Sequence, residues 1–161
     1  MDGRPFDLWQ GYDDSSVTVV VFTRSDCPIS NRYAPTVRKL FDAYHPRNVR
    51  FYLVYVDPDE GPESIRRHLK EFDYPCPGLH DPAHTLVAAT GAKVTPEAVV
   101  FDSRREIVYR GRIDDLNASF GQSRDEATTH ELADAIDAAL AGLPVPDPFT
   151  KAVGCAIGDL Q

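Results

Sequence analysis

The stretch SVTVVVFTRSDCPISNRYAP, residues 16–35, runs from an unbroken apolar, β-branched segment into small polar residues, then a cysteine, a proline and a helical pattern. Residues 16–22 have the composition of a strand covered on both faces, which places them at the centre of a parallel sheet. From Pro28 onward Ile29, Tyr33, Val37, Leu40, Phe41 and Tyr44 recur at helical spacing, interrupted by Pro35 and ended before Pro46. Residues 49–56 (VRFYLVYV) form a second buried strand, closed by Asp57-Pro58-Asp59. Strand, helix, strand in this order requires a right-handed crossover.

Further along, a helix is expected over residues 63–72. A third opens at Asp81-Pro82, with Asp81 as N-cap and Pro82 at the first helical position, and stops at Gly91. Residues 98–101 and 106–112 are strands joined closely enough for an antiparallel hairpin. A final helix covers about residues 129–141, with Thr128 and Glu131 as a capping box and Gly142 as its end. Pro144, Pro146 and Pro148 make residues 143–161 an extended tail, expected to pack on the domain formed by residues 1–142. The order implies an α/β fold of three layers, a mixed sheet of parallel strands plus a C-terminal antiparallel hairpin, flanked by helices.

Composition narrows the functions. The 161 residues suit one domain with its own core. A net charge of -8, pI near 5.0 and scattered Lys and Arg argue against a nucleic-acid partner. No apolar run approaches the roughly 20 residues of a membrane span, and Met1 to Pro5 has no apolar signal core. As written the chain reads as soluble and cytoplasmic, or exported if an N-terminal signal has been removed. Three cysteines, Cys27, Cys76 and Cys155, are too few and too dispersed for a disulfide framework or a structural zinc site. Cys76, His80 and His84 (CPGLHDPAH) invite a metal reading, but Pro82 separates the histidines, and a surface loop entering a helix is the expectation; no metal and no cofactor are assigned.

This layout resembles the thioredoxin-like fold, in which Cys27 opens a helix straight after the first central strand, Pro35 takes the place of the helix-kinking proline, and Val94-Thr95-Pro96 that of the loop whose cis-proline faces the catalytic cysteine. More closely, DCPISNRYAP, VTPEAVVFD, YRGRIDD and VGCAI resemble a bacterial redoxin type within the alkyl hydroperoxide reductase and thiol-specific antioxidant superfamily, over about residues 2–157. That superfamily includes reductases, peroxidases and metal chaperones. Asp2-Gly3-Arg4 resembles the tip of an early hairpin.

The resemblance implies a nucleophilic Cys27 with Ser30, Thr95 and Pro96 as site neighbours. Read forwards, Cys27-Pro28-Ile29-Ser30 is a CxxS motif, a monothiol counterpart of the thioredoxin dithiol. Read backwards, Arg24 to Pro28 resembles a peroxiredoxin loop, but Arg24 replaces its threonine and Val20 its proline. Copper chaperones of the Sco type use CxxxC, and Asn31 stands where their second cysteine would be. A helix start favours the thiolate, Asp26 opposes it, and Arg24 helps if turned inward. A cis Thr95-Pro96 bond would leave the Thr95 backbone to pair with an extended substrate. Arg110 and Arg112 are expected to pair with Asp114 and Asp115.

Three functions follow: thiol-disulfide exchange with protein or small-molecule thiols and disulfides, a thiol peroxidase using Cys27, or a redox-inactive binding module. A CxxS site cannot resolve its own mixed disulfide, which makes Cys155 the candidate for a resolving or structural thiol, with Cys76 competing but less free to approach between Pro75 and Pro77. Gly154 lets the chain turn there, and Val153 and Ile157 offer anchors.

Overall fold

The computed structural model describes residues 6–11, 13, 16–119 and 121–158; Asp2-Gly3-Arg4 lies outside them. A five-stranded sheet carries the fold. Its central strand is β1 (Val17–Thr23), flanked by β2 (Val49–Tyr55) in parallel and β5 (Glu97–Phe101) antiparallel. Outside these lie β3 (Gly78–His80), parallel to β2, and β6 (Ile107–Gly111), antiparallel to β5, giving the order β3-β2-β1-β5-β6. The mixed sheet with a terminal hairpin is as the sequence implied. The three-residue β3 was too short to read from its pattern.

Two faces follow from the alternation of side chains along the strands. Val17, Val19 and Val21 join Tyr33, Val37, Ile65, Leu132 and Ile136 on one side. Val20 and Phe22 join Tyr52, Val54, Val87, Val99 and Ile157 on the other. The first face is covered by α2 (Ala34–Tyr44), α3 (Pro62–Glu71) and α5 (Glu131–Leu140), the second by α4 (Thr85–Thr90) and the segment around Leu8 and Trp9.

The expected kink is a full break. α1 (Pro28–Arg32) ends at Tyr33, and α2 restarts at Ala34 with Pro35 in its first turn, where a missing N–H does no harm. Tyr33 is held at the break by a 2.7 Å hydrogen bond from its hydroxyl to Asp114 Oδ1.

Three local expectations are corrected. α4 begins at Thr85 rather than Pro82, with His84 as N-cap in a left-handed conformation (φ 53). Asp81 still satisfies the helix start, but from a distance: its carboxylate accepts from the N–H groups of Thr85, Leu86 and Val87 at 2.7, 2.9 and 3.0 Å. The capping box at Thr128 and Glu131 does not form. His130 is the N-cap of α5, the Thr128 N–H and hydroxyl both bind Asp115, and Glu131 pairs with Arg112. Arg110 and Arg112 therefore do not pair with Asp114 and Asp115. Arg110 donates to the carbonyls of Thr90 and Gly91 and covers the Phe149 ring, while Asp115 takes Arg124. The buried carboxylates choose the backbone N–H groups within reach, which sequence spacing does not reveal.

The tail returns along the sheet edge. Arg110 N–H donates to Pro148 O and Thr150 N–H to Arg110 O, beside β6. It then reaches β4 (Val94–Thr95), where β9 (Cys155–Ala156) pairs antiparallel with Thr95 opposite Cys155. Ile157 N–H donates to Lys93 O, and the side chain is buried in the second core face. A hairpin of β7 (Asn117–Ser119) and β8 (Gln122–Ser123) follows β6, and a 3-10 turn (His45–Arg47) follows α2.

Candidate functional site

β1 ends at Thr23, and four residues later Cys27 caps the N-terminus of α1. Its thiol is 1% exposed and donates to Thr95 O at 3.1 Å. Thr95 is brought there by β4, and the Thr95-Pro96 bond is cis. Ser30, one turn into α1, has its N–H and its hydroxyl placed to stabilise a charge on the sulfur. The structure thus joins Cys27, Ser30, Thr95 and the neighbouring Pro96, and it adds Cys155, which pairs with Thr95, the residue whose carbonyl accepts from Cys27.

This arrangement favours a thiolate at Cys27. Burial acts against it, yet hydrogen bonds from the Cys155 thiol, from the Ser30 hydroxyl and N–H, and from Thr95 outweigh burial and hold Cys27 below its ordinary value. The hydroxyls of Ser30 and Thr95 are buried and have no partner while Cys27 is a thiol, so their free capacity goes to the anion. α1 has only five residues, and it is these directed donors, rather than a helix terminus, that do the work. Cys155 moves the other way: burial and the adjacent Cys27 sulfur push it up to about 12. Cys76 also stands at about 12, by burial between Pro75 and Pro77.

Arg24 does not turn inward to Cys27. It binds Asp26 at 2.9 Å and Asp57 at 3.4 Å, which removes part of the charge by which Asp26 would oppose a thiolate. Asn31, at the position of a second cysteine in the CxxxC spacing, instead ties the loop down: its amide donates to Ser25 O, and its oxygen accepts from His68 Nε2 at 2.8 Å. His68 Nδ1 in turn faces the Tyr55 hydroxyl at 2.7 Å, and burial lowers its pKa, so the ring is the neutral tautomer bearing hydrogen on Nε2. Sequence reasoning missed this buried chain of side chains. The one available signal was a histidine on the apolar stripe of α3 beside Ile65.

Glu60 was also missed: it is buried near Ser25, and burial raises its pKa against the hydrogen bonding of Ser25. His80 and His84 are occupied by the carbonyls of Asp57 and Val56, and among the described residues no group of three His, Cys, Asp or Glu is placed for a metal ion. None of the described helices is long and apolar enough to cross a membrane.

The Thr95 edge is not open to a substrate strand in this structure, because Cys155–Ala156 occupies it. Gly154 makes the fit: a Cβ there would collide with the Thr95 carbonyl. Beside it, a cleft of about 410 Å³ is lined by Val94, Ser119 and residues 151–154.

A cysteine between the first strand and first helix of such a sheet, facing a Thr-Pro loop, defines the thioredoxin-like class. The chain belongs to the Redoxin family, whose model matches residues 1–127. It is similar to an uncharacterized conserved protein from Geobacillus kaustophilus, with 28% identity over 97% of this chain and 83% of that one and a TM-score of 0.80. A hypothetical protein from Sinorhizobium meliloti 1021 gives 25% identity over 89% and 80% and a TM-score of 0.76. A secreted Mycobacterium tuberculosis disulfide oxidoreductase shares the fold at 16% identity, over 88% and 90%, with a TM-score of 0.57. No curated protein matches the chain.

Proposed function

We propose that the chain is a thiol-disulfide oxidoreductase-type redoxin in which Cys27 is the nucleophile and Cys155 its resolving partner. One observation carries this reading: Cys155 lies opposite Thr95 in the β4–β9 pair while the Thr95 carbonyl accepts from the Cys27 thiol, so both cysteines converge on one residue, in a site whose donors favour the Cys27 thiolate. The monothiol Cys27-x-x-Ser30 site would thereby gain its second sulfur from 128 residues away in sequence rather than from the same turn of helix.

In exchange, the Cys27 thiolate attacks a substrate disulfide RSSR, releasing RS⁻ and forming Cys27–S–SR. Cys155 then loses its proton, attacks Cys27 Sγ and expels the second RS⁻, leaving a Cys27–Cys155 disulfide. Two electrons pass to the substrate, which leaves as two thiols. Pro96 and Thr95 frame the sulfur, Ser30 and Thr95 hold its charge, and no metal or cofactor enters.

A second reading is favoured by the filled Thr95 edge and the enclosure of Cys27, which admit a small oxidant more readily than a peptide. With a hydroperoxide, Cys27 becomes a sulfenic acid and the alcohol leaves; Cys155 then condenses with it, releasing water and giving the same disulfide. Oxidation by diamide and by hydrogen peroxide, followed by peptide mapping, tests both. A Cys27–Cys155 linkage is expected, and reduction of insulin or glutathione disulfide by the reduced protein supports exchange. Rapid closure with peroxide, without insulin or glutathione disulfide turnover, would favour the peroxidase. A chain that forms no Cys27–Cys155 linkage with either oxidant refutes the resolving role of Cys155, and one that in addition forms no mixed disulfide with glutathione would be the binding module.

A further inference from the structure

Within a Cys27–Cys155 disulfide the two sulfurs are not equivalent. Cys27 is 1% exposed and enclosed by Ser30, Thr95 and β9. Cys155 is only half-buried, on a two-residue strand at the surface, and the segment leading into it lines the 410 Å³ cleft. Displacement at sulfur requires the incoming thiolate to approach opposite the departing sulfur, so access decides which sulfur is struck. An attack on Cys27 has to reach the enclosed atom. An attack on Cys155 does not.

We propose that an external thiolate reduces the disulfide at Cys155 Sγ, with Cys27 leaving as the thiolate. The inference rests on the Cys27–Cys155 couple proposed above and gives it a direction: Cys27 faces the oxidant, Cys155 the reductant. The leaving group supports it. The Ser30 and Thr95 hydroxyls, buried and unpartnered while Cys27 is a thiol, are in place to receive the charge that appears on Cys27 as the S–S bond breaks. The opposite polarity would expel Cys155, whose thiolate the site disfavours; a less acidic thiol leaves more slowly.

The balance is complete with two thiols. The first thiolate forms RS–S–Cys155 and releases the Cys27 thiolate. A second thiolate attacks the R-side sulfur, forming RSSR and releasing Cys155, which takes up a proton. The two electrons come from the external thiols, and the disulfide ends up on them.

Glutathione is the probe. The diamide-oxidised chain is mixed with it, quenched in acid after milliseconds, blocked with N-ethylmaleimide and mapped. Glutathione on Cys155 with maleimide on Cys27 is expected to exceed the reverse adduct by about tenfold or more. Glutathione mainly on Cys27, with Cys155 alkylated, overturns this inference and leaves the couple standing. Failure of diamide to form the Cys27–Cys155 bond overturns both. Should neither adduct accumulate, Ser30→Ala decides. With Cys27 as leaving group the loss of a donor slows second-order reduction by glutathione roughly threefold or more. An unchanged or faster rate assigns the leaving role to Cys155 and refutes the proposal.

Discussion

Replacing Thr95 by Val removes one hydroxyl that faces Cys27 while keeping the β-branched shape and the carbonyl that accepts the Cys27 S–H. A hydrogen bond to a charged acceptor contributes about 1.5–3 kcal/mol net, and a large, soft sulfur belongs at the lower end of that range. Since one pKa unit corresponds to about 1.4 kcal/mol, the Cys27 pKa should rise by about one unit in Thr95→Val. In the thiol form the sign reverses. The Thr95 hydroxyl is then buried without a partner, and such a group costs about 1–3 kcal/mol that valine avoids. A thiol whose folded pKa is depressed adds stability that is present above the unfolded pKa and is lost as pH falls through the folded one. Thr95→Val should therefore be more stable than the parent chain at about pH 5, and its advantage should shrink or invert towards about pH 9. Urea unfolding at the two pH values measures this. The ultraviolet absorbance of the thiolate reports the pKa, and below about pH 9 it reports Cys27 with little interference, because Cys76 and Cys155 both stand at about 12. An unchanged thiolate titration, or a variant less stable at acid pH, would refute the picture of a hydroxyl held in reserve for the anion.

Gly154→Ala places a methyl group against the Thr95 carbonyl and must lift β9. Closure of the Cys27–Cys155 disulfide by diamide should slow by about tenfold or more with far-ultraviolet circular dichroism unchanged, and normal closure would show that the β4–β9 register is not required. Asp81→Ala removes the carboxylate that serves three N–H groups of α4, for an expected loss of roughly 2–3 kcal/mol in urea unfolding; a loss below about 0.5 kcal/mol would contradict that role. Iodoacetamide at about pH 8 should modify Cys27 before Cys76, since only the former has a depressed pKa, and preferential labelling of Cys76 would contradict the assignment of the nucleophile.

Much of the fold was legible because its signals are local and strong. The run Val17 to Phe22 and the run Val49 to Tyr55 are buried on both faces, and a strand so placed cannot carry polar alternation. The start of α4 was misread because Asp81 and Pro82 have the residue types of a helix entry, whereas three carboxylate bonds spanning four to six residues displace that entry to Thr85. Arg110 and Arg112 were misassigned for a related reason. Their sequence neighbours Asp114 and Asp115 are engaged by Tyr33 and by Thr128 and Thr129, partners that only folding brings near.

The sequence by itself determined that the sheet is mixed, with parallel strands first and an antiparallel hairpin last, and that Cys27 stands at the entry to a helix; the Thr-Pro loop beside it came through resemblance. The first two depend on hydrophobic periodicity or on proline chemistry acting over a few residues. Only the tertiary structure decided what surrounds the sulfur. The pairing of Thr95 with Cys155, the two hydroxyls with no other partner, and the chain from Asn31 through His68 to Tyr55 all join residues far apart in sequence. Such contacts are fixed by burial and by the need to satisfy each polar group in a closed space, conditions that exist only once the chain has folded on itself.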